Sequence, residues 1–489
     1  MEILEHQLKL IRADSRKRSK CEYKELRGQF QWIAEEPCKW NIVRFTPANA
    51  EEWEQWMANE EFMNTGKGKL LIQMKERLFY FKGQWDDEEM LSTCPQDDYQ
   101  LARFKQCVET LKNDQNWSWM VSKFLKGSNQ RTSVKIEDNK KIPSFKKGSL
   151  NIIVGTPGAG KSTFCAEFVK SKVDKYKILY VAPAHTNVNG FLRKLIQMDV
   201  KDVSVLSDEA KLATELRSYH NSNMKSFNPS KKNLILPDKQ ITVSTVNKPI
   251  KSPKESGIQI IIIDEATRVS LIEVMTLIYR FNGLLCVVLA GDPKQLGARI
   301  GQNEAKDAMR FTLQQGEARI WNLFRQYRFG RGINDVISPL YYQNQMVAAT
   351  NRKSSMNWII INKCECDQEE KIGCNTEVKV ALAVYRLLSG NDKIVLTPYK
   401  LQLRKFQEKE SNINIKTIDT SQGDEYDHVV VSFGRHQGRG FITRERINVG
   451  LSRARRSVHV ILNARVVEKI PAIKRTIDIS KEKGLVNYI

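Results

Sequence analysis

The sequence predicts an α/β protein, two tandem parallel-sheet domains preceded by a smaller mixed α+β region. Three observations carry that expectation. From residue 147 onward, short β-branched runs alternate with helical stretches, the pattern of strands buried on both faces of a parallel sheet. A second series of the same kind begins after about residue 335. The region before both has a different composition and holds seven of the nine tryptophans.

Residues 1–27 read as a charged helix or arm, and its patch Arg16-Lys17-Arg18-Ser19-Lys20 suits either contact with phosphates or a localisation signal. Residues 28–125 form a Trp-rich accessory domain, with strands expected at Lys69–Met74 and Leu78–Phe81 and a helix at 97–124. Its aromatics (Trp32, Trp40, Trp53, Trp56, Trp85, Trp117 and Trp119) are expected as the core of a small domain, with base stacking the competing use. Residues 126–146 are polar and broken by Gly127 and Pro143, which predicts a linker. Residues 147–335 then supply strands at 151–154, 177–181, 240–244, 258–263 and 286–290. Residues 336–489 supply strands near 358–361, 393–396, 414–418, 428–431 and 458–462.

Composition bounds the chemistry. No apolar run approaches the ~20 residues that cross a bilayer, and Met1-Glu-Ile-Leu-Glu-His6 lacks the apolar segment of a secretory signal. A soluble, cytoplasmic protein is expected, with the nucleus as a further compartment. The nine cysteines follow no disulfide rhythm, and Cys364, Cys366 and Cys374 lack a nearby fourth ligand, so reduced thiols are expected rather than zinc. The net charge of +22 costs self-repulsion and points to a polyanionic partner.

The richest stretch is Gly155-Thr156-Pro157-Gly158-Ala159-Gly160-Lys161-Ser162-Thr163 after the run Ile152-Ile153-Val154. Strand, glycine-rich loop and helix in that order let backbone N–H groups turn inward on β- and γ-phosphates. Lys161 adds a point charge, and the Ser162 hydroxyl can take a Mg²⁺ position. About a hundred residues later a buried strand ends in Asp264 and Glu265, one to hold the metal and one to orient or deprotonate water. Gln295, after a further strand, is a candidate sensor of the γ-phosphate. Arg328 and Arg453 are candidates to stabilise charge on the transferring group.

The ordered set GTPGAGKST, VAPAHTNVN, TVSTVN, IIIIDEAT, LAGDPKQLGA, QYRFG, VLTPYKLQ, TIDTSQGDEYDHVVV and INVGLSRAR resembles the superfamily 1 helicases. The elements Thr397-Pro398-Tyr399, Ser421 to Glu425 and Asn448 to Arg455 are most similar to branch 1B, which includes the nonsense-mediated-decay RNA helicases and the nidovirus helicases. Some plant-virus movement helicases share a shorter set. The resemblance covers about residues 147–465 and implies two RecA-like domains, with residues 28–125 at the place of that branch's accessory barrel and stalk. It implies ATP and Mg²⁺ as cofactors, with Lys161, Ser162, Asp264 and Glu265 serving them and Gln295 sensing the γ-phosphate. It further implies Tyr327 stacked on adenine, Arg328 and Arg453 on the γ-phosphate, Gly423 near the phosphates and Glu425 at the ribose. Pro183, Thr186, Asn187, Ser244, Thr245, Thr397, Pro398 and Thr417 match positions that hold a nucleic-acid backbone.

The chain departs from the family in two ways. No adenine-selecting glutamine precedes the loop beyond the poor candidate Gln130, so strict ATP preference is not implied. The dense cysteine/histidine zinc domain at the front of the decay and nidovirus helicases is missing. The expected activity is an ATP-dependent helicase or translocase, on RNA with 5′→3′ polarity by the branch resemblance, from a virus by the same token. The competing expectation is a viral movement or ribonucleoprotein-remodelling NTPase without processive unwinding. In both, protein partners would meet the N-terminal region.

Overall fold

The computed structural model describes residues 1–20, 25–36, 40–48, 62–65, 70–75, 78–82, 90–93, 98–113, 123–124, 132–135, 148–207, 211–220, 239–251, 257–281, 283–300, 303–315, 317–363, 372–435, 441–467 and 469–489. The chain divides into two compact units, one of residues 1–113 with 300–303 and one of the remainder. Trp53, Trp56, Trp85, Trp117 and Trp119 lie outside the described residues, as do Gln130, Cys364 and Cys366.

In the first unit, α1 (Glu2–Lys20) precedes six strands: β1 (Glu25–Glu36), β2 (Trp40–Pro47), β3 (Phe62–Thr65), β4 (Leu70–Lys75), β5 (Leu78–Lys82) and β6 (Met90–Thr93). They close into a barrel in the order β1-β2-β5-β4-β3-β6, and α2 (Asp98–Asn113) follows. The two expected strands are thus two of six. Strand β1 begins within the expected arm, and Asp98–Asn113 of the expected helix is helical. Closure leaves no unpaired sheet edge, which is how so small a sheet avoids exposing its ladder groups. Leu4 and Leu8 of α1 and Phe104, Cys107, Val108 and Leu111 of α2 are buried, and Lys112 pairs with Glu5 at 2.7 Å.

The second unit is built around two large parallel sheets. The first contains β7 (Thr132–Lys135), β8 (Ser149–Gly155), β9 (Ile178–Ala182), β10 (Val203–Leu206), β11 (Ile241–Thr245), β12 (Ile260–Ile263), β13 (Cys286–Gly291) and β14 (Arg319–Leu323). Their order across the sheet is β10-β11-β9-β12-β13-β8-β14-β7. Strand β7 corrects the expected linker at 126–146: Thr132–Lys135 pairs in parallel with Arg319–Asn322 as the sheet's edge. A short polar run suffices there because an edge strand needs only one ladder and little apolar burial. Between the strands run α3 (Lys161–Lys170), α4 (His185–Gln197), α5 (Leu271–Arg280) and α6 (Ala308–Gln315). Strands β9, β11, β12 and β13 are buried along their whole length; β9, β12 and β13 are the continuous apolar runs, while β11 buries Thr242, Ser244 and Thr245 as well.

The second sheet contains β15 (Ser355–Ile361), β16 (Lys393–Thr397), β17 (Ile415–Thr417), β18 (Tyr426–Ser432), β19 (Ala454–Asn463) and β20 (Val486–Tyr488), ordered β17-β16-β18-β19-β15-β20. Helices α7 (Arg331–Tyr341), α8 (Asn375–Leu387), α9 (Lys400–Lys409), α10 (Arg444–Leu451) and α11 (Pro471–Lys481) accompany it. Its core already includes Phe329 and Ile333, ahead of the expected boundary at 335, because the apolar stripe of α7 packs on this sheet. No helix among the described residues is long and apolar enough to cross a membrane.

Candidate functional site

Strand β8 delivers the glycine-rich loop, and α3 begins at Lys161 with no side-chain cap. The first-turn N–H groups of such a helix face outward for an anion. Gly158 adopts φ +73°, and a Cβ there would lie 2.5 Å from the Cβ of Arg328, so only glycine lets the loop pass. Gly155, Thr156, Pro157 and Ala159 are buried around that curl, whereas Thr163 is exposed. The Lys161 ammonium donates to the carbonyls of Gly155 at 3.0 Å and Thr156 at 3.5 Å, folding back over the loop.

Strand β12 carries Asp264 beneath that helix start. The Ser162 hydroxyl donates to Asp264 Oδ2 at 2.7 Å, and the Tyr180 hydroxyl of β9 donates to the same oxygen at 2.8 Å. Burial and the neighbouring Glu265 carboxylate push Asp264 above the usual carboxylate range, opposed by those hydroxyls and Lys161. Ser162 and Asp264 thus set two hard oxygen donors side by side, the donor chemistry that suits Mg²⁺. Glu265 follows in left-handed backbone at φ 49°, a strained placement, with its N–H donating to Asp264 Oδ1 at 2.9 Å. The turn is anchored just beyond by a capping box, in which Glu273 accepts from the Ser270 N–H and the Ser270 side chain from Glu273 N.

Strand β13 lies between β12 and β8, and Asp292 and Gln295 follow it in the loop beyond Gly291. The Gln295 amide is pinned at both ends. Its Nε2 donates to Asp292 Oδ2 at 3.0 Å, and its Oε1 accepts from Arg453 Nη2 at 3.5 Å. Arg453 therefore crosses from the second lobe to the first. A second crossing is Gln422, whose Nε2 donates to Glu265 Oε2 at 3.0 Å. Burial, then the Arg328 guanidinium, lowers Arg453 to about 10, so it stays charged at neutral pH beside a second buried cation.

Arg328 donates to Glu425 Oε1 and to the Ser452 carbonyl, each at 2.6 Å. Glu425, expected at a ribose, is the counter-ion of Arg328, which holds it at about 2. Gly423, expected near phosphates, sits at φ +97° with its α-carbon against the Asn187 amide, which a Cβ would approach to 2.7 Å. Tyr327 is 47% exposed and free to offer a ring face, its backbone N–H held by the Gly158 carbonyl at 2.9 Å.

The expected nucleic-acid residues all lie at carboxyl ends of strands or the adjoining helix start. Thr186 is exposed, and Pro183, Asn187 and Thr417 are half-buried. Ser244 corrects the expectation: it is fully buried, and its hydroxyl donates to the carbonyls of Leu206 and Thr245. Thr397 is likewise buried, its hydroxyl accepting from the Tyr399 N–H, and Pro398 and Thr245 are buried beside it or on the neighbouring lobe. The Ser244 and Thr397 hydroxyls thus bond local backbone rather than facing outward. Cys374 accepts from the Glu377 N–H as a helix cap. Sequence reasoning missed Gln422, Asp292, Tyr342, Asn448 and Tyr180. Gln422, Asp292 and Asn448 stand inside the motifs beside residues of more familiar chemistry; Tyr180 is signalled only as a lone hydroxyl in an apolar strand.

Two family models, each described as an AAA domain, match residues 144–340 and 306–465. The DNA-binding protein SMUBP-2 of Mesocricetus auratus is 23% identical over 79% of this chain and 50% of its own length. The DNA replication ATP-dependent helicase/nuclease DNA2 of Gallus gallus is 24% identical over 66% of this chain and 35% of its own. The chain spans half or less of the length of these curated relatives. Among solved structures, an arterivirus nonstructural protein 10 (helicase) covers 90% of this chain and 77% of its own at 15% identity and TM-score 0.44.

Proposed function

This chain belongs to the superfamily 1 helicases, and from that premise we propose that it is a nucleic-acid-stimulated ATPase that translocates on single strands and unwinds duplexes, with RNA as its strand and 5′→3′ as its direction. The observation that carries the reading is the double crossing between lobes, Gln422 to Glu265 and Arg453 to Gln295. A triphosphate in that cleft would touch both bodies, so its arrival and cleavage would change how they hold each other.

The roles follow from the contacts. The loop N–H groups and Lys161 bind the β- and γ-phosphates. Gln295 gives its remaining N–H to the γ-phosphate, and Tyr327 offers a ring face to the base. Arg328 and Arg453 meet the charge that spreads over the transferring phosphoryl group. Glu265 orients water and takes its proton once Gln422 withdraws. When bound at Ser162 and Asp264, Mg²⁺ neutralises charge on the phosphate oxygens. Thr186, Asn187 and Thr417 would hold the strand through its phosphates, a sequence-independent grip consistent with a net charge of +22.

The test measures ATPase rate with matched single-stranded RNA and DNA, alongside displacement from 5′- and 3′-tailed duplexes. RNA should stimulate turnover, and only the 5′-tailed duplex should open. Lys161→Ala should bind RNA but neither hydrolyse nor unwind. Stimulation without displacement on either tail would favour a remodelling ATPase, and no stimulation by either nucleic acid would overturn the assignment.

A further inference from the structure

Tyr342 stands where α7 stops. The helix ends there because Gln343 and Asn344 adopt φ 52° and 60°, which terminate the turn and leave Tyr342 as the residue that caps it. Its ring is 7% exposed and packs in the core of the second lobe. The hydroxyl nevertheless reaches the first lobe and donates to Asp292 Oδ2 at 2.7 Å. That oxygen is the one that receives the Gln295 amide at 3.0 Å. On its other side the Tyr342 hydroxyl accepts from Asn448 Nδ2 at 2.8 Å, and the same Nδ2 donates to the Lys294 carbonyl at 2.9 Å.

The donor count closes. Tyrosine has one O–H, and it goes to Asp292. The Asn448 amide has two N–H groups, one for Tyr342 and one for Lys294. Gln295 spends one N–H on Asp292. Each of these four donated protons has a single destination, which gives the run from Asn448 through Tyr342 to Asp292 one direction. Asp292 is 1% exposed, and water cannot replace a partner it loses.

We propose that Tyr342 is a positioning residue, whose hydroxyl ties the Gln295 amide to the second lobe through Asp292, so that the γ-phosphate sensor is aligned only when the lobes are engaged. The inference rests on the ATPase reading above. Without the hydroxyl, Asp292 keeps only the Gln295 amide as a side-chain donor, and the amide is free to follow a carboxylate that no longer reports the other lobe.

The experiment is a double-mutant cycle on the full chain, with Tyr342→Phe, Gln295→Ala and the pair. Tyr342→Phe should lower the nucleic-acid-stimulated kcat about tenfold while leaving the Kd for nucleotide unchanged, the outcome of losing one buried bond to a charged group that acts after binding. In the Gln295→Ala background the same change should cost less than about twofold, because residues acting as a unit are not additive. Asn448→Ala, which removes both donors, should reproduce the Tyr342→Phe split and serves if that variant folds poorly by its melting midpoint. Full additivity of the two losses, or a Tyr342→Phe kcat equal to the parent, would overturn the proposal while leaving the ATPase assignment intact. Absence of turnover in the parent chain would remove the assignment itself.

Discussion

Arg328 is 8% exposed, and its charge is met by one carboxylate, Glu425, which is itself 41% exposed. The pairing sets an acid dependence with a definite sign. Glu425 lies at about 2, below its ordinary 4.5, so it contributes stability above 4.5 that is lost as pH falls towards 2. Glu425→Gln should therefore be less stable than the parent at pH 7, by about 1 kcal/mol once the exposure of Glu425 is discounted. That gap should narrow in denaturant titrations as pH drops from 4.5, and a gap of the same size at pH 3 would separate the loss from the ion pair. The partnership was invisible in the sequence, where 97 residues separate the two groups. A ribose contact was the natural expectation for Glu425, since nothing in a linear motif says that a buried arginine from the preceding lobe needs an anion.

At the scale of elements, the loop between β8 and α3 is the part most fully legible beforehand. Phosphate binding demands curled backbone, one cation and one hydroxyl at fixed spacing, and those demands are local. Gly158→Ala tests the curl. Left-handed backbone with a side chain costs about 1–2 kcal/mol, and the added methyl must displace Arg328. Nucleotide affinity should fall at least about tenfold, or 1.4 kcal/mol, in a fluorescent-nucleotide titration. Parental affinity would show that the loop does not need its curl. Strands β9, β12 and β13 were equally readable, as continuous apolar runs buried on both faces. Strand β7 and most of the barrel were not, because edge and barrel strands mix polar with apolar residues and their pairing is decided by distant partners. Ser244 and Thr397 show the remaining limit: a hydroxyl at a strand end reads the same whether it faces a ligand or caps its own backbone.

The whole molecule carries +22 charges, and a grip made of phosphate contacts should show it in salt. If about six contacts are made to a single strand, binding should weaken by roughly 10²–10³ between about 50 and 200 mM salt, with little change between sequences. A flat salt response in a filter or anisotropy assay would point to contacts with bases or protein instead. The catalytic half of the cleft is less adjustable than this electrostatic one. Strand β13 is flanked directly by β8 and β12, and Ile153, Ile262 and Leu289 within them are at most 1% exposed. The loop, Asp264 and Asp292 are in effect bolted to a single slab. A methylene trimmed from that slab, tens of atoms from any phosphate, would misalign all three together, so its first symptom would be wasted fuel rather than an unfolded chain.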